Sequence, residues 1–437
     1  MTFCALAHAT PPADWIKAPG ARAEFVEEPV FGGRVAVYRA GSQDAEAIVL
    51  VHGLGAPAAR DWGLVIPALA QRYQVMAVDL PGFGNSSKGN HHYTPDSLAR
   101  ALDAALKTPA RFTLVGHSMG AGVAIAYAAA HPERVARLVL VDAAGVLHRS
   151  VYIEYLALKG LEQALGKDSW MFPAISRAIH RRAESWPDDD ALAIERAGVR
   201  RRLLGGEPAA IAAVSMTGWD FSAELRAIRA PTLVVWGALD RIAPPRTGQA
   251  LASAIAQAQL VVLDAVGHAP QIEAPQAFAG LLMAELDGAP IAAAYALAPG
   301  PGQGGRVARS QGAQGQKFSG DYETLVIEEC GDARIVNARI GRLELVRSTV
   351  RIVNSHIRDD VQASGSRIEM TGGSIGGTLA LDATSVDAAA TRFSRAPVNR
   401  GDVPVVLRLS IAELSQPGNA HPLHDIFRLA PGETLIR

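Results

Sequence analysis

Phe112-Thr-Leu-Val-Gly-His-Ser-Met-Gly-Ala-Gly122 decides how the first part of this chain folds. An apolar run leads into Gly116-His117-Ser118-Met119-Gly120, and small residues continue through Ala130. The pattern predicts a buried strand, a sharp turn carrying Ser118, and a buried helix. Strand and helix can pass so closely only if the positions two before and two after the serine lack bulk, which accounts for Gly116 and Gly120. A serine held on such a strained turn is a candidate nucleophile. Phe112 to Ala130 nearly has the length of a membrane span, but Gly116, His117, Ser118 and Gly120 interrupt it, so a strand entering a helix is the better reading.

Outward from this stretch, short apolar runs alternate with helical patterns between Arg34 and Leu286. The runs are Ala47 to His52, Gln74 to Asp79, Arg111 to Gly116, Arg137 to Asp142, Thr232 to Gly237 and Gln259 to Asp264. Continuous Val, Leu and Ile mark strands buried on both faces, hence an α/β class with a mostly parallel, doubly wound sheet. Between Asp142 and Thr232 lie about 90 residues with helical patterns and no strand signal, far more than a crossover needs. This insertion, about 146–226, reads as a helical lid.

The whole chain has 437 residues, 49% hydrophobic and 19% charged, enough for two or three domains. Its 42 basic and 43 acidic residues give a net charge of −1 with no long run of either sign, which removes the footprint of a nucleic-acid binder. Cys4 and Cys330 form neither a disulfide framework nor a zinc cluster. Residues 1–24 form an N-terminal segment in which Ala7-His8-Ala9 has the small-x-small form of a signal-peptidase site, without a basic region before it. Two readings stay open there, a frayed start of a cytoplasmic protein and the tail of an export signal.

After a first domain over 25–287, residues 288–320 turn rich in Gly, Ala, Gln and Pro and read as a flexible linker. Residues 321–437 are rich in β-branched runs and show a period. Leu325, Leu343, Val361 and Leu379 stand 18 apart, and Ile340, Ile357, Ile375 and Phe393 follow at 17, 18 and 18. Asn337, Asn354 and Gly372 or Gly373 precede the second series at similar distance. Such a repeat predicts a small parallel β-helix, with a β-sandwich as the alternative. The open ends of a stack must be capped or paired, which predicts self-association or a protein partner through this domain.

A serine hydroxyl needs a base, and in an α/β sheet with this turn the chain order is serine, acid, histidine. Asp240 lies just beyond the run Thr232 to Gly237 and His268 beyond the next one, at the strand ends that form the site edge. His268 is thus expected to take the Ser118 proton, and Asp240 to orient the imidazole. Asp142, also at a strand end, is the rival acid; Asp264 reads as structural. The backbone N–H groups of Met119 and Leu54 are the expected oxyanion donors. His52 reads as structural, and His117, His91 and His92 as non-catalytic. His421-Pro-Leu-His424-Asp425 reads as a solvated tail.

His52-Gly53-Leu54-Gly55, Asp79-Leu-Pro-Gly-Phe-Gly-Asn-Ser86, Gly116 to Gly120, Trp236-Gly-Ala-Leu-Asp240 and Gly267-His268-Ala-Pro together resemble the α/β-hydrolase superfamily, in order and spacing, from about residue 25 to 287. The resemblance implies an oxyanion loop, a site-edge loop, a nucleophile elbow, an acid and a base at these positions. A serine nucleophile argues against the dehalogenase and epoxide-hydrolase branches, which carry Asp there. No cofactor and no metal is implied.

Acyl transfer to water follows from such a triad, and the leaving group does not. Trp170, Phe172 and Trp219 in the insertion are candidates to line a pocket for an apolar moiety, or simply pack the lid. The leading expectation is a carboxylic-ester hydrolase for small to medium apolar substrates. A C–C bond hydrolase with a similar core and lid is the alternative. A third reading makes the repeat the working part, as a binding or assembly module.

Overall fold

The computed structural model describes residues 10–106, 111–166, 169, 171–184, 193–289, 291, 305–416 and 419–435. Ala7-His8-Ala9, Cys4 and Trp170 fall outside them, as do the side chains of His421 and His424. Among the described residues, contacts divide the chain into two compact units. One comprises Met1–Gly145, Leu192–Ala243 and Val261–Ala293, the other Val146–Ala191, Pro244–Leu260 and Ala294–Arg437. The division is not linear along the chain: the first half of the insertion groups with the C-terminal repeat.

The first unit is built on a sheet of β1 (Arg22–Glu28), β2 (Gly33–Ala40), β3 (Ala47–Val51), β4 (Gln74–Asp79), β5 (Phe112–His117), β6 (Val135–Val141), β7 (Thr232–Gly237) and β8 (Ala258–Leu263). Their order is β1-β2-β4-β3-β5-β6-β7-β8. Strands β4, β3, β5, β6 and β7 are parallel neighbours. β1 and β2 form an antiparallel edge. Every residue of β3, β5 and β7 is buried, as expected of strands covered on both faces. β1 reads differently because it alternates exposed and buried residues, the pattern of an edge strand with one wet face.

Helices start where the chain can satisfy its first amides. Pro95–Ala105 opens on a capping box, Thr94 Oγ1 accepting from Ser97 N at 3.1 Å while Thr94 N donates to Ser97 Oγ at 2.9 Å. Met119–Ala130 has no such cap because its N-cap is Ser118 itself, and ten of its residues are buried. The insertion carries Arg149–Leu165, Phe172–Glu184, Ala197–Leu204, Pro208–Thr217 and Ser222–Ala227, all helical as expected.

In the C-terminal region the periodic residues pair side by side in parallel ladders. Leu325 lies beside Leu343, Leu343 beside Val361, and Val361 beside Leu379. Ile340, Ile357, Ile375 and Phe393 form a second row. All eight belong to one buried cluster. The Asn and Gly positions are explained by backbone: Asn337, Asn354 and Gly372 have φ of 51, 44 and 65°, a left-handed corner that Asn and Gly accept at low cost. Asn354 Nδ2 donates to Asn337 Oδ1 at 2.9 Å. A second corner, at Glu329, Arg347, Gly365 and Ala383, escaped the sequence reading because its residue types share nothing. The buried Ser348, Ser366 and Thr384 hydroxyls mark it, each accepting from the backbone N–H one repeat earlier.

The expected linker does not extend to residue 320. Arg306–Gln311 and Lys317–Glu328 are strands, Leu325 lying beside Ala308. Both are mostly exposed at their starts and hence lack an apolar period; backbone pairing supplies what the side chains do not. Residues 290 and 292–304 of that stretch lie outside the described residues.

The second unit encloses an ionic cluster. Asp387 Oδ2 accepts from Arg246 Nη1 at 2.8 Å and from Arg408 Nη2 at 2.6 Å, and Ser410 Oγ donates to its Oδ1. Arg408 also pairs with Glu154, which Arg367 and His180 contact too. Arg408, Asp387 and Glu154 are 3%, 5% and 8% exposed, so each charge depends on the others. Burial alone would raise the Glu154 carboxyl, but the hydrogen bond with His180 and the guanidinium groups of Arg408 and Arg367 bring it down to about 2 from 4.5. The same balance holds Asp387 far below the usual carboxylate range, burial being outweighed by Arg246 and Arg408. A carboxyl depressed by folding stabilises above its unfolded value and loses that contribution as pH falls towards the folded one. The thermal midpoint is therefore expected to fall steeply between pH 4.5 and 2. Asp387→Ala, which leaves two buried arginines without their common partner, should cost about 3–5 kcal/mol in denaturant titration at pH 7.

Candidate active site

Ser118 sits between β5 and its helix with φ 52° and ψ −115°, backbone that a non-glycine residue adopts only under constraint. The constraint is visible on either side. A Cβ added at Gly116 would meet Gly120 O at 2.3 Å, and one at Gly120 would meet Val51 O and His52 O at 2.4 Å. Ser118 N donates to Val141 O of β6 at 2.9 Å, which pins the turn to the neighbouring strand. The hydroxyl emerges at the C-terminal end of the parallel strands, where β6 leads into Asp142 and β7 towards Asp240.

Three of the expected residues meet there. His268 Nε2 lies 2.9 Å from Ser118 Oγ, and His268 Nδ1 lies 2.8 Å from Asp240 Oδ2. A carboxylate can only accept, so Nδ1 carries the proton and Nε2 is left to accept from the hydroxyl. Asp240 is 1% exposed, and its other oxygen accepts from Ile242 N at 2.7 Å and Ala243 N at 3.0 Å, which sets the plane of the carboxylate. Asp142, the rival acid, instead accepts from Gly237 N at 2.8 Å through Oδ1 and stands beside Asp240.

Two neighbours hold His268, and only one was visible as a residue of interest in the sequence. His117 Nε2 lies 2.7 Å from the His268 carbonyl oxygen, so it is the donor and the ring is in its Nε2–H form. Burial pushes the His117 pKa down to about 3, so this donor stays neutral. Glu273 Oε2 accepts from Gly267 N at 2.7 Å and Oε1 from Ala269 N at 3.1 Å, clasping both amides that flank His268. The spacing of Glu273 behind a proline-started turn was the signal that could have found it.

His52 behaves as read. Leu80 N donates to its Nε2 at 3.0 Å, so its Nδ1 carries the proton, at 2.7 Å from Gly53 O. It thereby joins the loop after β3 to the turn after β4. Asp79 supports that turn, accepting from Tyr38 OH, Ala59 N and Asn85 N. A Cβ at Gly53 would lie 3.2 Å from Ser118 Cβ, so the loop carrying Leu54 abuts the serine. Met119 is the first residue of its helix, and its amide has no acceptor within the helix.

The pocket candidates are Trp170, Phe172 and Trp219. Trp170 lies outside the described residues. Phe172 opens the helix Phe172–Glu184 and is half-buried. Trp219 is half-buried and donates its Nε1 to Glu224 at 3.0 Å, a contact that serves local packing. Among the described residues no helix is long and apolar enough to cross a membrane.

Comparison with known proteins follows the same outline. A family model described as the alpha/beta hydrolase fold matches residues 46–275. A 2-hydroxymuconate semialdehyde hydrolase of Pseudomonas sp. is 33% identical over 265 residues, 56% of this chain and 89% of the relative. A pimeloyl-[acyl-carrier protein] methyl ester esterase of Aeromonas hydrophila is 34% identical over 53% of this chain and 91% of its own. A 2-hydroxy-6-oxononadienedioate/2-hydroxy-6-oxononatrienedioate hydrolase of Cupriavidus pinatubonensis is 32% identical over 54% and 84%. With the matched residues spanning β3 to β8, Ser118, Asp240 and His268, the chain belongs to the alpha/beta hydrolase fold family.

Proposed function

We propose that this protein is a serine hydrolase that cleaves carboxylic esters of small to medium, fairly apolar substrates through an acyl-enzyme on Ser118. The observation that carries the reading is the relay of 2.9 and 2.8 Å from Ser118 Oγ through His268 to Asp240. Ser118 Oγ attacks the ester carbonyl carbon as its proton passes to His268 Nε2. The imidazolium so formed is stabilised by Asp240. The negative oxygen of the tetrahedral intermediate is taken by the amides of Met119 and Leu54. Collapse expels the alkoxide, which receives the proton from His268, and water repeats the sequence to free the acid.

The second reading, hydrolysis of a C–C bond in a vinylogous diketone, is favoured by the names of two of the relatives, and the ester reading by that of the third. The relay serves both, since each ends with water attacking an activated carbonyl. Helices between Asp142 and Thr232 are the proposed lid in either case. We read the C-terminal ladders as a small parallel β-helix of 18-residue turns, supported by the two left-handed corners that recur at that spacing. Its last strands, Val405–Gln416 and Asn419–Leu429, pair antiparallel, and such a hairpin closes one end of a stack. The first end is the one left for self-association, which sedimentation of the full chain reads directly.

Short p-nitrophenyl esters and a 2-hydroxy-6-oxohexa-2,4-dienoate, assayed in parallel, separate the two chemistries by their kcat/KM values. Greater turnover of the dienoate would replace the ester reading. Ser118→Ala should lower kcat by roughly 10⁴- to 10⁶-fold on the true substrate, and an unchanged rate would remove Ser118 from the mechanism. A fluorophosphonate should label the wild-type chain at Ser118. Glu273→Gln leaves Gly267 N and Ala269 N with one good acceptor between them; kcat should drop about tenfold with KM little changed.

A further inference from the structure

Asp142 is fully buried at the end of β6, a charged residue type that the relay does not use. Its backbone has φ 42°, so the side chain is held in place by a strained turn like that of Ser118. One oxygen accepts from Gly237 N at 2.8 Å. Among the described residues nothing donates to the other, Oδ2. Yet one oxygen of Asp142, one of Asp240 and one nitrogen of His268 all lie within 4.8 Å of one another. Two buried ionised carboxylates this close repel and neither can donate to the other, whereas one proton on the pair removes the repulsion and supplies a donor. Asp240 already accepts from His268 Nδ1, Ile242 N and Ala243 N, which favours the charge on Asp240 and the proton on Asp142.

We propose that Asp142 is a positioning residue for the relay: it keeps a proton that it donates in a hydrogen bond to Asp240, so that a single negative charge, correctly oriented, faces His268. The inference rests on the reading of Ser118, His268 and Asp240 as the catalytic relay. The groups that face Asp142 are Asp240 and His268, with Glu273 farther off and the Gly237 amide against its other oxygen. Burial pushes the Asp142 carboxyl up to about 9; the Gly237 amide opposes this and the charges of Asp240 and Glu273 reinforce it. At neutral pH the proton stays. Above about pH 9 it leaves, the two carboxylates repel, and Asp240 loses its orientation. Without that orientation His268 is no longer aligned to accept the Ser118 proton, so turnover falls.

Asp142→Asn is the decisive variant, because its amide N–H can donate the same hydrogen bond, it never ionises, and Asn tolerates positive φ. On the ester or dienoate that the wild type turns over, the wild type should show an alkaline limb in kcat near pH 9. Asp142→Asn should keep neutral-pH kcat within about threefold and lose that limb, while Asp142→Ala, lacking the donor, should lose roughly ten- to a hundredfold in kcat. An alkaline limb that persists in Asp142→Asn overturns the proposal. So does a neutral-pH loss in Asp142→Asn as large as in Asp142→Ala, since that would mean the charge is what the site needs.

A second measurement does not need turnover. A carboxyl raised by folding binds its proton only in the folded state, so its effect on stability is fully absent below the unfolded value and grows unfavourable as pH rises to the folded one. The thermal midpoint of Asp142→Asn should therefore gain on the wild type between pH 4 and 9, and a constant difference overturns the proposal. If Ser118→Ala remains fully active while this gain is seen, the relay reading fails and the protonated pair stands.

Discussion

Everything at the site depends on the close passage of β5 and its helix at Ser118. The turn has φ 52°, and Gly116 and Gly120 have no room for a methyl group, so strand, helix and the loop after β3 meet within van der Waals contact. That passage puts the hydroxyl beyond the strand ends. It also puts the loop carrying Leu54 against the serine and the first helical amide, that of Met119, next to it. A side chain at either glycine would push these backbones apart and dismantle the geometry at its origin, whatever became of His268 and Asp240.

The histidine is held from three sides by groups that never reach a substrate. His117 fixes its carbonyl, Glu273 its flanking amides and Asp240 its ring. These contacts fix the ring and the backbone around it, as a chain of two directional hydrogen bonds requires. The second unit is organised by a different rule. There the 18-residue period stacks apolar residues inside, and left-handed corners turn the chain. A buried cluster of Glu154, Arg408, Asp387 and Arg246 ties the helix Arg149–Leu165 and the helix Arg246–Ala254 to the repeat. Cutting the chain near residue 290 would strip Glu154 and Arg246 of their partners, so point variants test the repeat more cleanly than truncation.

Local rules made much of this legible. Continuous apolar runs gave six strands of the sheet to within a residue or two, and the glycines around Ser118 gave the turn. The antiparallel edge was missed because β1 alternates over seven residues and the apolar stretch of β2 is cut short by Arg34 and Arg39, so neither matches the continuous buried runs. The repeat was found from its hydrophobes and from Asn337 and Asn354. Its second corner was missed because Glu329, Arg347, Gly365 and Ala383 share a backbone conformation and no chemistry. The linker was drawn too far because Arg306–Gln311 is held by backbone pairing, which leaves no mark on residue type.

By itself the sequence determined which residues could act, because a nucleophile, an acid and a base at successive strand ends require particular side chains at particular turns. It left two acids, Asp142 and Asp240, competing for one place. Only the tertiary structure shows which carboxylate reaches His268 Nδ1 and which is turned towards Gly237. Strand order and loop path set that distance, and neither is encoded in any one segment. The same holds for His117 and Glu273: their roles come from backbone atoms of His268 and its neighbours, brought to them only when the chain closes on itself.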